Sequence, residues 1–207
     1  MTPSPSRLTE THRRLVLDAS VVINLLGTGA MMNVVVALAR ELHIERRAYD
    51  EIKFDPSTRR NADLTLAPLK EHRHLLVSDL SAELIPDFVQ LATAGVSNGL
   101  DPGEAASIVL AHQVTATVVL DEERAQCAAR RHFPTVNILT SLDLLAAPEL
   151  FSAIGQQGVS DLIYASCMHA RMNVASEHAP WVVRTIGTRA QHCLSIKKRF
   201  RPAALEG

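Results

Sequence analysis

The chain has 207 residues, enough for one large domain or one small domain with an appendage. With 47% hydrophobic residues, 21% charged residues and a formal net charge of −1, it is neither disordered nor collagen-like. It also lacks the overall basic excess of a nucleic-acid coat, so any contact with nucleic acid must use a local patch. Aromatic residues make up 4%, with one Trp, too few for a stacking platform under single-stranded bases. Cys127, Cys167 and Cys193 form no CxxC and are odd in number. They exclude a disulfide framework and point to a reducing, cytoplasmic setting.

Residues 1–13 are polar, with Pro and Ser and no signal-peptide apolar region, and read as a flexible leader. Leu15 to Asp18 is a short apolar run without alternation, as expected of a strand buried on both faces. Residues 19–39 hold no charge in 21 positions, a transmembrane candidate by length alone. Asn24, Asn33 and the Gly27-Thr28-Gly29 break favour two short buried helices instead, Ser20 to Leu26 and Ala30 to Leu42, and no membrane association. His43 to Arg47 reads as a second strand and Tyr49 to Lys53 as a turn of helix. Residues 54–68, with Pro56, Pro68 and an Arg pair, read as a mobile loop.

His74 to Leu80 is the next strand candidate. Ala82 to Ala94 has helical apolar spacing, and Gly95 to Leu100 reads as a turn. Then come a helix from Pro102 to Gln113, a strand from Ala116 to Leu120, a helix from Glu122 to Arg131, a strand from Val136 to Leu139 and a closing helix from Ser141 to Ala146. This alternation predicts an α/β fold with an open, mostly parallel sheet flanked by helices. Pro148 marks a boundary, dividing a domain at 14–148 from a helical C-terminal appendage at 149–207, with helices at Ser160–Met172 and Pro180–Phe200. From Arg171 to Arg201 the appendage carries seven Lys or Arg against one acid, Glu177.

In an open parallel sheet, ligands bind beyond the carboxyl ends of the strands. Asp18 and Asp121 each end an apolar run at that place. One such Asp is an ordinary helix cap. Two of them, with further acids on the same rim, repel and raise each other's pKa. A divalent cation removes that cost, and oxygen-only clusters suit Mg²⁺ or Mn²⁺. Glu51, beside Asp50 in AYDEIK, reads on spacing alone as a solvated acid. Asp101, Pro102 and Glu104 form a capping-box-like helix start, which accounts for Glu104 as fully as a metal does.

The motifs LVLDASVVINLL, AYDEI, LDPGEAASIVLA and VVLDEERAQCAAR, in that order across residues 14–147, resemble those of PIN domains, the prokaryotic VapC-type proteins above all. The resemblance implies a metal-dependent endoribonuclease using Mg²⁺ or Mn²⁺ and leaving a 3′-hydroxyl and a 5′-phosphate. It implies an RNA substrate and a toxin paired with an antitoxin protein, and it allows a homodimer. Carried over by position, it implies Asp18, Glu51, Glu104 and Asp121 as the catalytic acids. Asp18, Glu104 and Asp121 would hold the metal, and Ser20 and Asn24 would take part in cofactor binding. Glu123 stands where a basic residue is frequent in these relatives, so the surface near the site is less positive.

Three further functions enter the comparison. A non-catalytic PIN-like module would bind RNA or a partner protein without metal. A phosphotransfer domain of haloacid dehalogenase type also starts with a strand ending in Asp, but needs a second Asp where this chain has Ser20. A zinc site from His169, His178, His192, Cys167 and Cys193 lacks usual ligand spacing, and buried thiols explain the cysteines. The run Lys197-Lys198-Arg199-Phe200-Arg201 reads as a solvated helix end, with contact to RNA phosphates or to an acidic partner as the alternative, and Trp181 as a core anchor.

Overall fold

Leu15, Val16 and Leu17 are fully enclosed because helices cover both faces of the sheet they belong to. The structure is a computed structural model and describes residues 5–93 and 99–202. In chain order it contains β1 (Arg14–Leu17), α1 (Ala19–Gly27), α2 (Met31–Leu38), β2 (Glu41–Glu45), α3 (Arg46–Glu51), α4 (Asp63–Glu71) and β3 (Leu75–Ser78). There follow α5 (Ile85–Thr93), α6 (Pro102–Gln113), β4 (Thr117–Val119), α7 (Glu123–His132), β5 (Ile138–Leu139), α8 (Ser141–Leu145), α9 (Pro148–His169) and α10 (Ala179–Ile186). Among the described residues five strands pair in the order β3-β2-β1-β4-β5, every pair parallel. The α/β class and the helix-flanked open sheet are those expected, with the sheet parallel throughout.

Successive side chains of a strand point to opposite faces, and the two cores follow that rule. Leu15 and Leu17 join a cluster with Val21, Leu25, Val35 and Leu144, on the face covered by α1, α2 and α8. Val16 and Val118 join Leu91, Ile108, Val109 and Ala129, from α5, α6 and α7, on the other face.

Several boundaries differ from the sequence expectation. The second helix stops at Leu38 rather than Leu42, because Ala39 takes a left-handed conformation (φ 49°) and Glu41 and Leu42 pair with Arg14 and Leu15. The second strand therefore spans 41–45, and Arg46 and Arg47 open α3 instead. Residues 54–68 are not a loop throughout. Phe54 and Asn61 form an antiparallel bridge. Buried Asp55 accepts hydrogen bonds from the Ser57 and Thr65 hydroxyls (2.6 and 2.9 Å), and α4 starts at Asp63 with Pro68 inside it, forgoing one helical bond. The expected turn at 95–100 lies mostly outside the described residues, as does Ala94.

The described part of the leader is held in place. The Arg7 backbone N–H donates to Asp143 Oδ1 at 2.8 Å and its Nη2 to Oδ2 at 2.6 Å, while Leu8 is buried. Burial alone would push the Asp143 carboxyl up, but the bonds from Arg7 and Thr140 hold it below its ordinary value.

The segment after Pro148 shares the larger core. α9 begins at Pro148, kinks at Gly155 (φ 69°) and runs to His169, longer than the expected helix from Ser160. Val159, Ile163, Cys167, Met172, Trp181, Val182 and Ile186 all belong to the cluster that contains β1 and α1. Ser166 Oγ donates to the Asn24 carbonyl at 3.0 Å, and His169 Nδ1 bonds the Gly27 carbonyl at 2.9 Å. A Cβ at Gly27 would lie 2.6 Å from the Ala170 Cβ, so only glycine permits this close approach. The second expected helix ends at Ile186, and a 3₁₀ turn follows at Gly187–His192. Among the described residues no single helix is long and apolar enough to cross a membrane; α1 and α2 reach that length only together, bent by 112°, and both line the core.

Candidate active site

The chain moves outward from β1 through β2 to β3, then returns to the other side of β1 for β4 and β5. The crevice at the carboxyl ends of β1 and β4 is therefore where strand order reverses, the usual ligand position in such a sheet. Leu17 pairs with Val119, so Asp18 and Asp121 leave neighbouring strands side by side. Asp18 caps α1, accepting from the Ser20 N–H at 3.2 Å and the Ser20 hydroxyl at 2.6 Å. Asp121 accepts from the Ser141 N–H at 2.8 Å, the Ser141 hydroxyl at 2.5 Å and Asn24 Nδ2 at 2.7 Å. Burial pushes both carboxyls above their ordinary value despite these bonds; the charge of Glu122 adds to the effect at Asp18, and that of Asp18 at Asp121.

Glu104 reaches the same rim from the first turn of α6. Its Oε2 accepts the Asp101 N–H at 3.1 Å, completing a capping box, and Arg124 Nη2 approaches to 3.5 Å. Burial, then the charges of Glu122 and Asp18, push it up to about 7. Glu51, at the end of α3, is also raised, first by burial and then by Asp18, although the Gly103 N–H donates to it. A Cβ at Gly103 would lie 2.6 Å from Glu51 Oε1, so the glycine of DPGEA is what lets this acid approach α6. The four acids thus feel one another's charge through Asp18. Asp50 is exposed on the same helix.

Glu104 adds a pH dependence to stability. Below about 4.5, its ordinary value, it is protonated in the folded and unfolded chains alike. Between about 4.5 and about 7 the unfolded chain loses that proton while the folded chain keeps it, so stability falls as pH rises. Above that window the penalty is complete. Glu104→Gln keeps an acceptor for the capping box and is expected to lessen the fall of melting temperature across this window, the raised Asp18, Asp121 and Glu51 carboxyls accounting for what remains. A variant whose melting curve follows the parent's pH dependence would show that another group is responsible.

Three residues of the rim escape spacing arguments. Glu45 is fully buried at the end of β2, where it accepts from the Arg47 N–H and Nη1 (both 2.5 Å) and adds its charge to Glu51. The rule that singles out Asp18, an acid ending an apolar strand, applies equally to Glu45 in ELHIE. Glu122 follows Asp121 directly and acts on Asp18 and Glu104 through its charge. Ser141 opens α8 with its N–H and hydroxyl turned to Asp121; the only local sign of that start is the capping box of Thr140 with Asp143.

The donor set is all oxygen and carries mutual repulsion that a hard divalent cation relieves, so the chemistry of the residues fits Mg²⁺ or Mn²⁺. As the side chains stand, no three His, Cys, Asp or Glu among the described residues form a group able to hold an ion. The thiols of Cys167 and Cys193 hydrogen-bond each other, which with burial raises Cys167, and His169 is engaged by Gly27.

Compared with protein-family models, with curated proteins and with solved structures, the chain matches none.

Proposed function

We propose that the protein is a divalent-metal-dependent endoribonuclease of PIN type. The observation that carries this reading is the placement of Asp18 and Asp121 just beyond the carboxyl ends of adjacent strands where strand order reverses, with both carboxyls raised by burial and by neighbouring acids. In this reading Asp18 and Asp121 hold a Mg²⁺ or Mn²⁺ ion, Glu104 joins them directly or through water, and Glu51 completes the rim. When bound, the ion lowers the pKa of a water and stabilises charge on the phosphodiester during hydrolysis. Ser20 orients the Asp18 carboxylate, and Ser141 and Asn24 orient that of Asp121. The further step, a toxin held by an antitoxin, rests on the resemblance alone.

The test is cleavage of RNA by the purified protein with Mg²⁺, Mn²⁺ or EDTA, alongside thermal scans in the same buffers. Ion-dependent cleavage is expected. So is a rise in melting temperature by mass action, worth about 2.7 kcal/mol at an ion concentration 100 times its dissociation constant. The absence of both sinks the reading. A second reading, a PIN-like module that binds RNA or protein without catalysis, draws on the saturation of Asp121 by three donors from its own chain. It predicts no thermal shift with either ion.

Gly103→Ala provides a finer check on Glu51. The atom met by the new Cβ is the end of a flexible side chain, so Glu51 swings aside while the helix gains roughly 0.5–1 kcal/mol from losing its glycine. The expected result is unchanged or higher stability in EDTA with weaker Mn²⁺ binding by calorimetric titration. Parental Mn²⁺ affinity would remove Glu51 from the ion's surroundings.

A further inference from the structure

The strands are parallel, so the amino ends of β1 and β4 lie at the opposite edge of the sheet from the acidic rim. A cavity of about 640 Å³ opens there between residues 11–14, 115–117 and 135–137. Its size falls in the usual range of small-molecule sites, roughly 300–1,000 Å³. Thr117, the first residue of β4, lines it and is only 4% exposed. Its hydroxyl makes no hydrogen bond with the described residues, yet it is not sealed off from the cavity. The strand continues with Val118 and Val119, and a buried hydroxyl without a partner in such a run costs stability. A valine would avoid that cost, so the hydroxyl is set for a partner from outside the chain.

Thr115, on the same wall, has a φ of 51°, a left-handed conformation that a β-branched residue rarely takes. It follows α6 where the Ala116 N–H donates to the Ala111 carbonyl at 2.9 Å, a helix end at which glycine is the usual residue. Two threonines of one cavity thus stand where valine and glycine would give a more stable chain.

The cavity carries Arg13 and Arg14 against one carboxylate among the described residues, Glu41. The Arg13 guanidinium makes no hydrogen bond or ion pair with the described residues. Arg14 is held loosely, reaching Glu41 and the Val114 carbonyl each at 3.4 Å. Glu41 is held more closely by His43, at 2.8 Å, so Arg14 can turn to a ligand without leaving that carboxylate alone. His12 Nδ1 accepts the Thr9 N–H at 3.0 Å, which puts the proton of the neutral ring on Nε2 as a further donor. No Phe, Tyr or Trp among the described residues lines the cavity.

We propose that this cavity binds a small sugar phosphate. Arg13 and Arg14 take the phosphate, whose oxygens match the fork of a guanidinium. The Thr115 and Thr117 hydroxyls, Asn137 and the Glu41 carboxylate take the sugar hydroxyls. The carboxylate accepts well from hydroxyls, and the lack of an aromatic face leaves a nucleobase nothing to stack on. The site lies at the far end of the strands from the rim and does not depend on the nuclease reading.

The test is calorimetric titration of the full chain, in EDTA and without phosphate buffer. Ribose 5-phosphate and glucose 6-phosphate are the probes, with ribose, inorganic phosphate and adenosine monophosphate as comparators. The better probe is expected to bind about 10-fold or more tighter than ribose or phosphate alone. Arg13→Gln should weaken it about 10-fold or more, the scale of a charged hydrogen bond, and Thr117→Val about 2–10-fold, that of a neutral one. Arg184→Gln, on α10 outside the cavity, should match the parent. Thr117→Val and Thr115→Gly should also melt higher than the parent without ligand while binding it more weakly, a combination that a purely structural role would not produce. Neither heat nor a shift in melting temperature with either probe at about 10 mM overturns the proposal. Inorganic phosphate binding as tightly as the better probe overturns it too, as does adenosine monophosphate binding more than about 10-fold tighter. Parental affinity in either Arg13→Gln or Thr117→Val places the ligand elsewhere and overturns the site.

Discussion

Asp18→Asn and Asp121→Asn are each expected to lower ion-dependent RNA cleavage by about 10²–10³-fold or more, the scale on which one stabilising group of a transition state acts. Each change removes one negative charge from the rim at nearly constant volume. Their effects on stability should differ, and the difference identifies the sites. Asp18 is the cap of α1 and accepts from the N–H and hydroxyl of Ser20 and from the Ala19 N–H. Asn caps about as well as Asp, and its neutral side chain ends the repulsion with Glu122 and Asp121, so the ion-free protein should melt at the same temperature or slightly higher. Asp121 receives donors on both oxygens. An amide there turns its own NH₂ toward one of them, leaving a donor unpaired at a cost of about 1–3 kcal/mol, partly offset by relief of the buried charge. Melting curves in EDTA and cleavage assays in Mn²⁺ check both parts. Parental cleavage by either variant sinks the assignment of that residue.

Ending the chain at Pro148 is expected to give a product that aggregates or shows no cooperative melting. The truncation removes Val159, Ile163, Met172, Trp181 and Ile186 from a core they share with α1 and α2. It leaves the uncharged stretch 19–39 as a large exposed apolar patch. Point variants test the same claim within an intact chain. Ile163→Ala should cost about 2–5 kcal/mol and Trp181→Ala about 3–5. At about 2–4 °C per kcal/mol for a protein of this size, either shift is readily measured. A truncated chain that stays monomeric and melts near the full-length temperature would show that residues 149–202 are an independent attachment after all.

Local pattern alone determined a good deal of this protein. Short unalternating apolar runs give strands covered on both faces, so β1 and β4 were legible from their neighbours in sequence, and Asp18 and Asp121 with them. The helix Pro102–Gln113 was legible to the residue, because an N-cap acid, Pro at the first position and a Glu two positions later are all local signals. The parallel order followed from the alternation of strands and helices. What failed locally did so where a distant partner overrode a local preference. Ala39 ends a helix in a left-handed conformation because β2 must reach β1, and Pro68 is carried inside α4 because Leu66 and Leu69 are buried in the core.

The rim itself was decided by tertiary structure. Asn24 meets Asp121 across 97 residues, Ser166 meets the Asn24 carbonyl across 142, and Arg7 meets Asp143 across 136; no window of sequence contains both members of any pair. The same holds for Glu45, whose burial comes from the sheet around it, and for Glu51, whose approach to α6 depends on Gly103. The sequence by itself therefore determined roughly where the strands run, that Asp18 and Asp121 stand at strand ends and that the chain from Arg171 to Arg201 is basic. Only the fold decided that the acids share one crevice and that the final helices complete the core. Backbone periodicity is set by neighbours a few residues away, whereas side-chain convergence is set by the order in which strands join the sheet.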